Sequence, residues 1–315
     1  MHKPVLLKET IKLLNLKEDN AVIDATFGQG GHSEAILNKL GDGGKLIAVD
    51  ADTEAIENFR SKNEEESIGQ KKRIFLINGN FANLKNILEA LKIEKVDAIL
   101  ADLGWSSNQL KGKGMSFQRN EELDMRLSKD QKISAKDVVN NYSRKELEKI
   151  VRDYGEEKFW KRIVEKIVES RKRDKIKTTE ELAEIIKTAV PEKFRRGKIN
   201  PATRTFQALR IEVNKELENL EKFIPQAISA LKSGGRLVII SFHSLEDRIV
   251  KNMFRENARG CICPEAFPQC ICGKSPVVKI ITKKPIMAAQ EEVRLNPRSR
   301  SAKLRVCEKM AVDNL

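Results

Sequence analysis

Aromatic residues are scarce. Two Trp, two Tyr and twelve Phe make up 5% of the 315 residues, which disfavours a binding mode built on many stacked bases. No apolar run approaches the roughly 20 residues that a membrane helix needs. The first 17 residues interleave Lys with Leu, so a secretory leader is not expected. Cysteines number five, and four of them, Cys261, Cys263, Cys270 and Cys272, fall within twelve residues. A secreted disulfide scaffold would be shorter and would spread them, so a reducing cytoplasmic compartment is expected.

Charge, by contrast, is abundant. Charged residues reach 33% beside 40% hydrophobic ones, a balance that excludes both a disordered chain and a membrane protein. The length suffices for one large domain or two smaller ones with a real core. Lys plus Arg total 59 against 46 Asp plus Glu, a net charge of +13. An excess of this size points to a polyanionic partner, because each neutralised phosphate releases counterions.

Apolar periodicity changes twice along the chain. Short apolar runs predict strands over residues 21–27, 45–50, 73–78 and 96–102, alternating with helices over 32–40, 53–62 and 81–91. This pattern specifies a parallel sheet with helices on both faces. From about 113 to 210 no strand is predicted. Helices are expected over 135–140, 144–153, 157–171 and 179–189, two of them announced by the capping boxes Ser143–Glu146 and Thr178–Glu181. Residues 111–200 hold 25 Lys plus Arg against 17 Asp plus Glu, most of the chain's surplus, which describes a helical insert with a basic face. Alternation then resumes, with helices over 215–231 and 245–256 and strands over 236–241, 277–282 and 302–307.

The stretch Asp24-Ala-Thr26-Phe-Gly28-Gln-Gly30-Gly31-His32-Ser33 lies where the first strand ends and a helix opens. Glycines there let the backbone approach a ligand, and the helix start offers unpaired N–H donors. Asp50 ends the next strand, where a carboxylate accepts hydrogen bonds from both hydroxyls of a ribose. Together they indicate an adenosine-containing cofactor at the switch point of a doubly wound sheet. Ser33 leaves the nicotinamide pattern G-x-G-x-x-G/A incomplete, while Thr26 replaces the first glycine of the acid-x-Gly-x-Gly-x-Gly turn of S-adenosylmethionine methyltransferases. The turn alone does not decide between them. Asp102-Leu-Gly104-Trp-Ser-Ser-Asn-Gln109 follows the fourth strand, at the end where such sheets place their ligands.

These blocks, with Leu123-Asp-Met-Arg126, Asn200-Pro-Ala-Thr-Arg-Thr-Phe-Gln-Ala-Leu-Arg210, Ser241-Phe-His-Ser-Leu-Glu-Asp-Arg248, Asn296-Pro-Arg-Ser-Arg-Ser301 and the opening His2-Lys-Pro4-Val-Leu-Leu-Lys-Glu9, occur in one order over nearly the whole chain. In this the sequence resembles the bacterial small-subunit ribosomal RNA cytidine-N4 methyltransferases, the H-type or MraW family. One departure is Lys113-Gly-Met-Ser-Phe117, where the family tends to carry Arg-Gly-Phe-Ser-Phe. The resemblance implies an α/β, Rossmann-like class I methyltransferase fold with a doubly wound, mostly parallel sheet. Residues 1–112 and 211–315 would form the methyltransferase domain, and 113–210 an inserted helical domain for rRNA recognition. It implies S-adenosylmethionine as methyl donor, and as acceptor the exocyclic N4 of a cytidine in the decoding region of 16S rRNA, presented by the 30S subunit or a late assembly intermediate. It places Gly30, Gly31 and His32 in the cofactor turn, Asp50 on the ribose and Phe81 near the adenine, with Asp102 and Gln109 completing the pocket.

The residue that takes the amine proton is left among Asp102, Ser106, Ser107 and His243. Arg204 and Arg210 flank Phe206, either as phosphate forks beside a base-stacking ring or as the outer face of a helix with Phe206 in its core. Arg195-Arg-Gly-Lys198 is expected to meet an RNA backbone. The Cys-Ile-Cys pairs at 261–263 and 270–272 offer four thiolates for zinc. Their spacing is tighter than C-x2-C and the implied reaction needs no metal, so none is assigned. Two other classes stay open: a nicotinamide oxidoreductase, and an RNA-binding factor without catalysis.

Overall fold

The computed structural model describes residues 4–62, 73–105, 112–128, 131–195, 197, 200–261, 263, 264, 267, 269 and 271–311, and of residues 58 and 60–62 the backbone only. Among these, eight strands form one sheet: β1 (Ala21–Asp24), β2 (Lys45–Asp50), β3 (Ile74–Asn78), β4 (Val96–Asp102), β5 (Leu231–Ser241), β6 (Val278–Ile280), β7 (Ile286–Met287) and β8 (Lys303–Lys309). The order is β3-β2-β1-β4-β5-β8-β6, with β7 also pairing to β8. Strands β1 to β5 are parallel, whereas β8 runs antiparallel to β5, β6 and β7. This is the Rossmann-like, doubly wound arrangement of class I methyltransferases, and the strand order reverses at β1, between β2 and β4.

The strands read as continuous apolar runs because both faces of the sheet are covered. Ile23, Ile47, Val49, Ile99, Ala101, Leu237 and Ile239 face one core, filled by Leu84, Leu88, Phe223, Ile224, Ile228, Val250 and Phe254. The alternate residues Val22, Leu46, Ala98, Leu100, Val238 and Ile240 face the other, filled by Val5, Leu6, Leu14, Ile36 and Leu40. Each of the Val, Leu, Ile and Phe side chains contributes about 1.5–3 kcal/mol on burial. A slip of one residue in any strand would exchange its two faces, so the register is strongly specified.

The chain divides into two compact units, Met1–Gly104 with Asn219–Leu315, and Trp105–Glu218. The second is helical, with Ala135–Asn141, Arg144–Lys149, Trp160–Arg173, Thr179–Ala189 and Thr203–Asn214 around its own core of Leu123, Val138, Leu147, Val151, Ile163, Ile167, Leu182, Ile186 and Leu209. Three of its helices start in reciprocal capping boxes, Ser134–Asp137, Ser143–Glu146 and Thr178–Glu181. Such a cap contributes about 1 kcal/mol. The helical insert thus begins at Trp105, ahead of the expected 113, and ends at Glu218, beyond the expected 210. The reason is the helix Thr203–Asn214, which the expected boundary cuts: Phe206, Ala208, Leu209 and Val213 belong to the insert's core. The Trp105 ring lies 4.8 Å below the Arg210 guanidinium, which joins the start of the unit to that helix.

Candidate functional site

Strands β1, β2 and β4 each end in an aspartate, Asp24, Asp50 and Asp102. Because the three strands are parallel neighbours, the carboxyl groups stand at one edge of the sheet. The segment after β1 stays tied to both flanking strands: Ala25 N–H donates to the Leu100 carbonyl at 2.8 Å, and Phe27 N–H to the Val49 carbonyl at 2.9 Å. Thr26, which occupies the place of a glycine in the expected turn, accepts the Asp102 N–H on its hydroxyl at 2.6 Å. The side chain that breaks the motif therefore fastens β1 to the end of β4.

Asp50 organises the turn. Its Oδ2 accepts the Gly28 N–H at 2.6 Å, and its Oδ1 accepts the Asp52 N–H at 2.8 Å. A carboxylate has about four acceptor sites. Gly30 has φ +79°, in the left-handed region, with the Phe27 ring 3.0 Å from where a Cβ would stand. Gly31 opens the helix Gly31–Leu37, and a Cβ there would lie 2.4 Å from Pro4 Cγ.

His32 is buried on this helix. Its Nε2 lies 3.1 Å from the Val5 carbonyl oxygen and its Nδ1 3.5 Å from Asp102 Oδ2. Burial lowers its pKa. Ser33 donates its hydroxyl to Asp24 Oδ2 at 2.7 Å, and burial raises the Asp24 carboxyl above the usual range in spite of that bond. Burial also pushes Asp102 up to about 7, opposed by the Gly104 N–H on its Oδ1 and reinforced by Glu246. The opening block, given no role by sequence reasoning, braces this turn: Pro4 closes on Gly31, Val5 on His32, and Leu6 N–H donates to Glu292 Oε1 at 2.8 Å. Its only sequence signal is that it precedes the turn as a separate motif block.

The structure thus brings together Gly30, Gly31, His32, Asp50 and Asp102. Phe81 stands in the short turn Phe81–Asn83 after β3, half-buried and edge-on to Phe223 at 5.1 Å. Gln109, Ser106, Ser107 and Cys270 lie outside the described residues, as do Arg196 and Lys198. His243 proves to be a helix cap. Its Nδ1 accepts the Glu246 N–H at 3.4 Å, while Glu246 accepts the Phe242 and His243 N–H groups at 2.8 and 3.2 Å. The base-stacking alternative for Phe206 is corrected as well: the ring is 3% exposed and packs on Phe117 at 5.5 Å. Arg210 forks onto Glu216 at 2.8 and 3.0 Å, and Arg204 donates to the Glu156 carbonyl at 2.8 Å. Arg195 donates to the Val190 and Thr188 carbonyls, which caps the helix Thr179–Ala189.

An edge where three strands end in Asp24, Asp50 and Asp102 suits a ligand rich in hydroxyls and positive charge. No Lys or Arg occurs from Ala21 to Asn38, so the turn offers a pyrophosphate only backbone N–H groups, and the Gly28 N–H is already held by Asp50. The donor set therefore fits a nucleoside that carries an amino group and a cationic centre better than a dinucleotide.

The MraW methylase family model matches residues 1–310. The chain is 52% identical to the ribosomal RNA small subunit methyltransferase H of Clostridium botulinum strain 657, over 98% of this chain and 99% of that protein. It is 51% identical to the same-named protein of strain Loch Maree over equal shares. An rRNA methylase structure from Streptococcus thermophilus is similar over 99% of both chains, with a TM-score of 0.42 and 13% identity.

Proposed function

Since the chain belongs to the MraW methylase family, we propose that it methylates small-subunit ribosomal RNA with S-adenosylmethionine as donor, on the exocyclic N4 of a cytidine in the 16S decoding region. The observation that carries the reading is the edge formed by Asp24, Asp50 and Asp102 around a glycine turn that holds no Lys or Arg. When bound there, S-adenosylmethionine supplies a methyl group on a sulfonium sulfur, which keeps the electron pair when the methyl leaves. Asp50 holds the ribose hydroxyls. Gly30 and Gly31 keep the backbone close to the ligand and Phe81 borders the adenine, while Gln109, outside the described residues, is given its cofactor role by the family resemblance alone.

The cytosine amine is a weak nucleophile, because its lone pair is conjugated into the ring. Alignment of the amine is the main contribution of the protein and is worth several kcal/mol. An acceptor at one N–H draws the nitrogen toward tetrahedral geometry and takes the surplus proton after transfer. Asp102 is the acceptor this reading selects: its ordinary range is displaced to about 7, where carboxylate and acid forms coexist at neutral pH. His243 caps the helix Ser244–Ala258 through its Nδ1, and this reading gives it no part in the proton transfer.

The basic partner side is the helical insert. Lys161, Arg162, Lys166, Lys172 and Arg173 stand exposed along one helix, a surface suited to phosphates. A base paired with guanine cannot offer its amine to the donor, so the target is single-stranded or turned out of its stack, at a cost of a few kcal/mol. The 30S subunit or a late assembly intermediate, which holds the cytidine in a loop, is therefore the preferred substrate over naked or duplex RNA.

The test is transfer of a tritiated methyl group to naked 16S rRNA, to 30S particles and to a fully paired oligonucleotide, with the product nucleoside identified by digestion and mass spectrometry. N4-methylcytidine, formed fastest on the particle, is expected. Incorporation at another atom or nucleotide, or equal rates on the paired oligonucleotide, would overturn the assignment.

A further inference from the structure

The loop from 259 to 276 leaves the helix Ser244–Ala258 and returns to β6, closed at its base by Val277 N–H donating to the Asn257 carbonyl at 2.8 Å. Its described apolar side chains do little to hold it: Ile271 is 75% exposed and Phe267 48%. Yet three thiols converge there. The sulfurs of Cys261, Cys263 and Cys272 all lie within 4.8 Å of one another, and the Cys261 and Cys272 sulfurs are 3.8 Å apart. Zinc–thiolate bonds of about 2.3 Å in a tetrahedral array give sulfur–sulfur edges of about 3.8 Å. Backbone N–H groups are aimed at two of the same sulfurs: Cys263 N–H points to Cys261 Sγ at 3.4 Å, and Ile271 N–H to Cys263 Sγ at 3.4 Å. Such donors stabilise thiolate over thiol and fix the sulfur lone pairs, as outer contacts do at metal sites.

We propose that Cys261, Cys263 and Cys272 bind a zinc ion that clips this loop into its closed form. Soft thiolates with tetrahedral spacing select zinc over the hard cations magnesium and calcium. The role is structural: the loop has no apolar core of its own among the described residues, and a metal that ties its start to its end replaces one. Cys270, outside the described residues, stands two positions before Cys272 in the sequence, the spacing that also separates Cys261 from Cys263. This site is independent of the reading of the methyl-transfer edge, and its test uses no activity.

The full chain, purified under reducing and chelator-free conditions, is expected to carry about one zinc per molecule by elemental mass spectrometry. Cobalt exchange is expected to give the intense visible bands of a tetrahedral thiolate site. Cys261→Ser and Cys272→Ser should each lose the metal and the bands. Cys307→Ala, which alters a buried thiol in β8, should keep both. Circular dichroism on each variant separates metal loss from unfolding. Metal-free protein that gives no thiolate band with cobalt would overturn the proposal, as would full zinc content in both Ser variants. So would a Cys261–Cys272 disulfide in protein alkylated directly on lysis.

Discussion

The imidazole of His32, buried, and the carboxyl of Asp102, half-buried, form a pair, Nδ1 to Oδ2 at 3.5 Å, with the far nitrogen of the ring held 3.1 Å from the Val5 carbonyl. A carbonyl only accepts, so Nε2 carries a hydrogen and a neutral ring turns its lone pair toward Asp102. Burial lowers the His32 pKa and lifts that of Asp102 to about 7. Both shifts favour the neutral state, an acid hydrogen on Asp102 facing the imidazole nitrogen.

This pair sets a pH dependence. A carboxyl raised from 3.8 to about 7 makes the folded state the tighter proton binder, so its contribution is fully present below pH 3.8 and is lost as pH rises to about 7. Between pH 5 and pH 8 the loss is about 3 kcal/mol at most. His32 works oppositely, losing stability as pH falls below its ordinary value near 6.5. Urea unfolding of the wild type and of Asp102→Asn at both pH values isolates the carboxyl: the variant is expected to lose less stability from pH 5 to pH 8. Methyl transfer should rise through pH 7 in the wild type and fall by tenfold or more in the variant. Equal pH slopes would contradict the assignment.

Asp50→Ala should reduce S-adenosylmethionine affinity at least tenfold. Hydrogen bonds to a charged acceptor contribute about 1.5–3 kcal/mol each, and the change also strands the Gly28 N–H. Calorimetric titration of a variant with unaltered circular dichroism is the measurement, and an unchanged dissociation constant removes Asp50 from the ribose.

Gly31→Ala drives a methyl group into Pro4, whose Cγ would be 2.4 Å away. Overpacking of this kind costs about 1–3 kcal/mol. Pro4→Gly should restore much of that loss when the two are combined, since contacting sites are not additive. Strict additivity in denaturant titrations would mean that the opening segment does not bear on the turn.

His243→Ala should lower stability by about 1 kcal/mol, the worth of a helix cap. His243→Asn and His243→Ser cap equally well and should restore the melting temperature, with kcat for methyl transfer unaltered in both. A collapse of kcat in the two capping variants would return His243 to the chemistry.

What the sequence made legible follows from how each feature is encoded. The strands were visible because burial on both faces requires unbroken apolar runs such as Leu46–Val49, and the helix starts because Ser143 and Thr178 cap through local side chains. Asp24, Asp50 and Asp102 were visible because they end those runs. The bracing by Pro4, Val5 and Glu292 was not, since it joins residues as far apart as Leu6 and Glu292, and no local pattern records a contact of that range. The capping role of His243 was hidden because histidine seldom serves as one. The compact helical unit runs past 210 because Val213 joins the same core as Phe206 and Leu209, and an apolar residue type does not say which core it joins.

The pairing of Asp102 with Ile240 has a consequence in time. Strand β4 leaves the ribosome during synthesis long before β5, its parallel neighbour, and the whole helical unit Trp105–Glu218 is made in between. At about 5–20 residues per second, the apolar edge Ala98–Ala101 waits on the order of ten seconds for its partner. Helical units rich in local contacts fold within milliseconds, so the insert is complete well inside that interval. The nascent chain then carries one finished module and an open strand edge, the condition under which edges pair wrongly. A slow stretch of codons placed between 105 and 230 would lengthen that exposure.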